Sequence, residues 1–280
     1  MVHERSALLR QLGDPTDARV LIVTCDGLGR SQAANSAIFD CLRAGLATSA
    51  SLMVPCPWAR DAARHYRGED VGVSLTLNAP LDHYRWGPIT HAPSLLDGDG
   101  GFPRTAADLW DHADLDEVRR ELRAQVERAI YWGFDVSHLS SPGNLLLLRP
   151  EFFDILIELA VDFRLPVRLG APSIEDTAGF PLRKLAADEG VVFPDRVISS
   201  TNSDARSVLE RYLLEPPPGV TELQFTPARD TPEQRALDPK WPRQVDDLTA
   251  LAGDRHLRTM VERSGVELVG YRRLRALMRT

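Results

Sequence analysis

The sequence predicts an α/β fold closed into an irregular, TIM-like (β/α) barrel, and three observations predict it. Short apolar β-forming runs alternate with helix-length amphipathic stretches, the pattern of right-handed βαβ units around a parallel sheet. The runs number about eight, which favours a closed barrel over an open doubly wound sheet. No Pro/Gly/Ser-rich linker divides the chain, so one domain is expected over residues 1–280.

Residues 4–12 read as a short amphipathic helix within an N-terminal extension, 1–18. Val20 to Val23 are four consecutive apolar β-formers leading to Asp26-Gly-Leu-Gly29, a strand delivering its end to a turn. A helix over 31–45, a strand over 49–54, a helix over 57–66 and a strand over 71–77 continue the alternation. From Asn78 to Arg104 the periodicity gives way to Pro, Gly, Asp and aromatic residues, and a loop of that length in a compact domain is expected to be functional, often a lid. The helix 115–132 has Val118, Leu122, Val126 and Ala129 on a buried stripe and Glu117, Glu121 and Arg128 on solvated faces. A strand ending near 135–141, a helix 150–163, strands 166–169, 196–200 and 220–226, and helices 181–189 and 204–214 follow. The last expected elements are a helix 246–263, the strand-like 266–270 and a basic terminal helix.

A net charge of -7, with arginines interleaved among Asp and Glu, points away from a nucleic-acid groove, which needs a basic stripe. No apolar run is long enough to span a bilayer and no hydrophobic segment follows Met1-Val-His-Glu-Arg5, so a cytoplasmic protein without a membrane partner is expected. Cys25, Cys41 and Cys56 have no CxxC spacing and read as buried free thiols. A homo-oligomer is left open.

Barrel folds place their chemistry at the carboxyl ends of strands. The polar residues there are Asp26, Ser74, Asn78, Ser140, Ser141, Asn144, Arg168, Thr226 and Arg229, and they are expected to converge on one mouth with the 78–104 loop above it. Each has a plain alternative. Asp26 suits an acid or base but also a turn that accepts backbone hydrogen bonds. Ser74 could bond inside its strand, and Ser140-Ser-Pro-Gly-Asn144 has the composition of an ordinary turn. Arg168 could pair with a carboxylate or hold an anionic ligand. His138 reads as a satisfied histidine of the core or one standing behind the site residues, and His83 and His91 as solvated loop residues. Gly27-Leu-Gly29 opens like a dinucleotide fingerprint, but the third glycine position is Gln32.

Several stretches together resemble the YdjC/ChbG carbohydrate deacetylase family: Leu21-Ile-Val-Thr-Cys-Asp-Gly-Leu-Gly29, Thr48-Ser-Ala-Ser-Leu-Met-Val54, Gly72-Val-Ser-Leu-Thr-Leu77, Pro93-Ser-Leu-Leu-Asp-Gly-Asp-Gly-Gly-Phe-Pro103, His138-Leu-Ser-Ser141, Gly219-Val-Thr-Glu-Leu223 and Gly265-Val-Glu-Leu-Val269. The resemblance implies a distorted barrel of the polysaccharide-deacetylase type that removes acetyl groups from N-acetylated sugars with a divalent metal. It makes Asp26 similar to the catalytic base. The other positions depart from the pattern. Where the family reads Asp-Asp-Phe-Gly this chain has Asp26-Gly27-Leu28-Gly29, its His-Leu-Thr-Leu is Ser74-Leu-Thr-Leu77, its Asp-Ser-His is Ser140-Ser141-Pro142, and its late His-Pro is Thr226-Pro227. A hard divalent ion needs carboxylate, imidazole or water ligands, and Gly, Ser and Pro supply at most one hydroxyl. The expectation is therefore no metal and no cofactor. The chain would be a pseudo-deacetylase or metal-free repurposed protein that binds or acts on a carbohydrate or related small molecule. The alternative is an active carbohydrate deacetylase whose metal site is rebuilt from Asp26 and His83 or His91, and a purely structural partner-binding barrel is a third reading.

Overall fold

Val20 to Val23 are buried on both faces, as a central strand of a parallel sheet requires. In the computed structural model, which describes residues 6–171, 173–200 and 203–280, this run begins β1 (Arg19–Leu28). It is followed by β2 (Ser49–Leu52), β3 (Val71–Ser74), β4 (Val136–Ser140), β5 (Arg196–Ser199), β6 (Gly219–Phe225) and β7 (Glu267–Leu268). Their order is β4-β3-β2-β1-β6-β5, every pair is parallel, and β7 pairs with the start of β1 below β2. The fold is the expected α/β class, an irregular barrel with helices packed outside a parallel sheet.

Several predicted elements change in detail. The strand expected at 166–169 forms only a single bridge, Leu139 to Val167, because Pro166 has no N–H to offer a ladder. The sheet's hydrogen bonds still run on through it, from Leu139 N to Pro166 O (2.9 Å), Arg168 N to Leu139 O (2.8 Å) and Val167 N to Val192 O (2.9 Å). β3 stops at Ser74 and not at residue 77, because the Gln125 carboxamide takes over the backbone of Thr76, accepting from its N–H (2.9 Å) and donating to its carbonyl (2.8 Å). The helix expected over 246–263 is two helices, Trp241–Leu248 and Arg255–Ser264, joined by a π-helical turn, Thr249–Gly253. Asp254 caps the second by accepting from His256 N and Leu257 N.

The N-terminal helix is Ala7–Leu12, capped by Ser6, while residues 4 and 5 of the expected range lie outside the described residues. Its Leu8 and Leu9 pack with Val20, Ile22, Val220, Tyr271 and Leu274 into a small apolar cluster at the amino ends of the strands, away from the mouth. The 78–104 segment is tied down along its length. Arg85 bonds Ala79 O, Phe102 O and Asp97, and Trp86 Nε1 donates to Asn78 O (2.9 Å). Glu121 is fully buried, against the expectation of a solvated face: it accepts from Ile89 N (3.1 Å), Thr90 N (2.9 Å) and Thr90 Oγ1 (2.6 Å). Glu117 likewise turns to Ser94 N and Oγ. The helical period placed these glutamates outward because the loop that covers them has no period of its own to announce it.

Candidate functional site

β1 ends in a bulge between Asp26 and Leu28, where Gly27 adopts a φ of +93°. The bulge brings Asp26 to the open end of the barrel, over a cavity of about 470 Å³, within the span of about 300–1,000 Å³ usual for small-molecule sites. Of the sequence-predicted residues, Asp26, Ser74, Asn78 and Thr226 line this mouth. Ser74 Oγ and the Asn78 carboxamide have no hydrogen-bond partner among the described residues, which leaves both able to bond a ligand.

Arg168 lies directly beneath Asp26. Its Nη1 donates to both Asp26 oxygens (3.0 and 2.9 Å), its Nε donates to Glu222 Oε1 (2.8 Å), and its Nη2 approaches Ser51 Oγ (3.4 Å). With its carboxamide oxygen turned to the guanidinium, Gln224 accepts from Nε (2.9 Å) and Nη1 (2.8 Å) as well. Burial works against the charge of Arg168, but Asp26 and Glu222 outweigh it and hold the group above the ordinary arginine value. Below it, Tyr271 donates to Glu222 Oε2 (2.5 Å), and burial with the Glu222 charge pushes that phenol well up. His138 stacks on Tyr271 (ring centroids 3.9 Å apart) and bonds Ser51 Oγ (3.1 Å) and Ser137 Oγ (3.0 Å). Burial, aided by the charge of Arg168, lowers the His138 pKa well below its ordinary value, so the ring is neutral. It is buried and satisfied, and it stands behind Arg168 through Ser51, within the two places that the sequence suggested.

The remaining candidates sit elsewhere. Ser141 Oγ accepts from Leu146 N (3.0 Å) inside the turn Pro142–Leu147, and Ser140 Oγ is buried without a partner among the described residues. Asn144, with a φ of +60°, sits in that turn beside Gly170 and does not line the mouth. Arg229 points outward to Ser36 Oγ (2.7 Å) and Asp40. His83 and His91 are exposed and do not line the mouth either.

Sequence reasoning missed the far rim of the mouth, formed by Arg30, Asp238, Lys240 and Arg243, and the buried Glu222 beneath it. Glu222 carried a readable signal, an acid in the middle of an apolar strand, since a buried charge needs a partner. The rim carried none, because Lys240 and Arg243 lie in a segment whose helix starts at Trp241 without a side-chain cap.

The positions that the resemblance matches to metal ligands meet at this mouth, as Gly27, Ser74 and Pro142. Their donors do not fit a divalent ion. Ser74 offers one hydroxyl, Pro142 opens a tight turn, and Gly27 has a backbone conformation that L side chains rarely adopt. Asp26 already has both oxygens on a guanidinium.

The family model described as YdjC-like protein matches residues 20–263. A carbohydrate deacetylase of Thermus thermophilus is 35% identical over 257 residues, covering 87% of this chain and 90% of that protein. A carbohydrate deacetylase of Geobacillus stearothermophilus is 33% identical over 153 residues, covering 54% of this chain and 59% of its own length. The crystal structure of a candidate cellobiose-phosphate cleavage protein from Enterococcus faecalis superposes with a TM-score of 0.79 at 22% identity, covering 92% of this chain and 99% of that one, which speaks for the fold alone.

Proposed function

The chain belongs to the YdjC-like family, and from that premise we propose that it is a member without a metal centre, whose mouth binds a carbohydrate or related small molecule. The observation that carries the reading is the donor set: glycine, serine and proline where ligands would stand, and the carboxylate beside them, Asp26, bound through both oxygens to Arg168. A metal-bound water has its pKa lowered from about 15.7 to about 7, whereas a lone general base contributes about 10²–10⁴-fold. Asp26 alone therefore falls short of amide hydrolysis by the route the resemblance implies. A metal-free reaction other than deacetylation would use Asp26 as proton acceptor. It could not draw on Arg229, which faces outward, and the Arg168 donors are occupied by Asp26, Glu222 and Ser51. Ligand binding is the simpler role, with Ser74, Asn78 and Thr226 as hydrogen-bonding groups. Three buried free cysteines suit a reducing compartment such as the cytoplasm.

Metal analysis of protein incubated with excess zinc or magnesium, together with acetate release from N-acetylated chitooligosaccharides, tests the reading. We expect no stoichiometric metal, and no release above that of Asp26→Asn. The 35% identity to a carbohydrate deacetylase favours a second reading, active metal-dependent deacetylation. Stoichiometric metal together with turnover would establish that second reading and end the first.

A further inference from the structure

We propose that the small molecule bound at this mouth carries a single carboxylate, as a sugar acid does, and that Lys240 receives it. The inference rests on the sugar-binding reading above and goes beyond it by fixing the ligand's charge. Although the chain carries a net charge of -7, the side chains lining the mouth include three cations, Arg30, Lys240 and Arg243, against two carboxylates, Asp26 and Asp238. Most of these charges are already engaged. Arg30 pairs with Asp238, which also accepts from Lys240 N (2.9 Å) and Gln244 Nε2 (2.9 Å). Asp26 is held by Arg168. Arg243 donates to Ser200 O (2.6 Å) and Thr226 Oγ1 (3.3 Å). Lys240 is exposed, and its ammonium group has no acidic partner among the described residues.

Lys240 differs from the arginines and aspartates around it in being an exposed point charge with no bond from its ammonium group to the described residues, and a single such charge matches a monoanion. A phosphate dianion is usually gripped by several convergent donors or a bidentate arginine, and the arginines here are committed to protein acceptors. Asp26 supplies the direction. Its negative charge repels a carboxylate and accepts from hydroxyl groups, so the ligand seats its acid at Lys240 and its hydroxyls towards Asp26, Ser74 and Asn78.

Calorimetric titration of the full chain with D-glucuronate, D-glucose and D-glucose 6-phosphate tests this. We expect glucuronate to bind about tenfold more tightly than glucose, with the advantage shrinking as salt screens the exposed ammonium. Lys240→Gln should remove most of that advantage. Equal affinity for glucuronate and glucose overturns the inference and leaves the sugar-binding reading standing, and so does an advantage that survives Lys240→Gln. Tighter binding of glucose 6-phosphate than of glucuronate overturns the choice of carboxylate. No binding of any of the three overturns the sugar-binding reading and the inference together.

Discussion

At the scale of the residue, the centre of the barrel is an arginine between two carboxylates, and the energetics of that triad dominate what a substitution there does. Arg168 and Glu222 are both nearly inaccessible, with side chains 4% and 0% exposed. Removing one partner of a buried pair leaves the other charge uncompensated, a cost of about 3–5 kcal/mol, whereas replacing both with apolar groups can be close to neutral. Arg168→Met should therefore lose about 3–5 kcal/mol in urea unfolding, and Arg168→Met with Glu222→Met should recover part of it. A double variant no more stable than the single one would mean that Asp26, still facing the gap, carries the larger share. Gly27 makes a different point. A Cβ there would meet nothing within 4 Å, so space is no obstacle, but its φ is +93°. Gly27→Ala should nevertheless cost about 1–2 kcal/mol, the penalty for a left-handed L-residue. A neutral result would show that the bulge relaxes, and would reopen this position to a ligand side chain.

Among elements, the 78–104 segment is the one whose behaviour differs most from its composition. Sequence alone reads it as a lid, yet it is fastened to the helix Leu115–Tyr131 through Glu121 and Glu117 and to the β1 turn through Tyr84 OH on Arg30 O (2.6 Å). Its Asn78, Pro80, Leu81 and Trp86 form part of the wall of the mouth. Glu121 accepts three bonds from the loop and one from Gln125 Nε2 (2.9 Å). Bonds to a charged group contribute about 1.5–3 kcal/mol, and unmade buried donors cost more. Glu121→Ala should accordingly destabilise by about 2–4 kcal/mol and expose the loop to limited proteolysis between Trp86 and Phe102. Unchanged protease resistance would mean that Arg85 and Trp86 hold the wall alone. Elements with strong local signals were legible: the helix Pro150–Phe163 matches its predicted bounds, and β1, β2 and β6 begin within one residue of theirs. The helices Ala106–His112 and Pro232–Leu237 were not predicted, although Thr105 and Thr231 cap them through Asp108 N and Gln234 N. Short helices bury too narrow a stripe for periodicity to register, so only the cap announces them.

For the whole molecule, barrel topology was readable because alternation repeats many times over, while the site was readable only where it lay on strand ends. The rim around Lys240 depends on which elements neighbour one another, which no local pattern encodes, and the acid at Glu222 was visible inside its apolar strand while its partner Arg168 was not. The same long-range packing sets the pH response. Asp247 accepts from Ala205 N (2.9 Å) and Thr226 N (3.1 Å), and burial raises its carboxyl from 3.8 to about 6. Its native state keeps a proton that the unfolded chain has released, so the stability it contributes is present below 3.8 and is lost as pH rises through about 6. His138 acts in the opposite sense. Its native pKa lies well below 6.5, so the unfolded chain takes up the proton first, and stability is lost as pH falls through 6.5. In the interval just below pH of about 6 the two slopes oppose each other, a full one-proton slope being about 1.4 kcal/mol per pH unit. The native protein should thus show little change in urea midpoint across that interval. In Asp247→Asn only the histidine slope remains, and stability should fall by about 1.4 kcal/mol for each unit of acidification from pH of about 6. Parallel profiles for the two proteins would show that Asp247 titrates in the fold as it does in the unfolded chain.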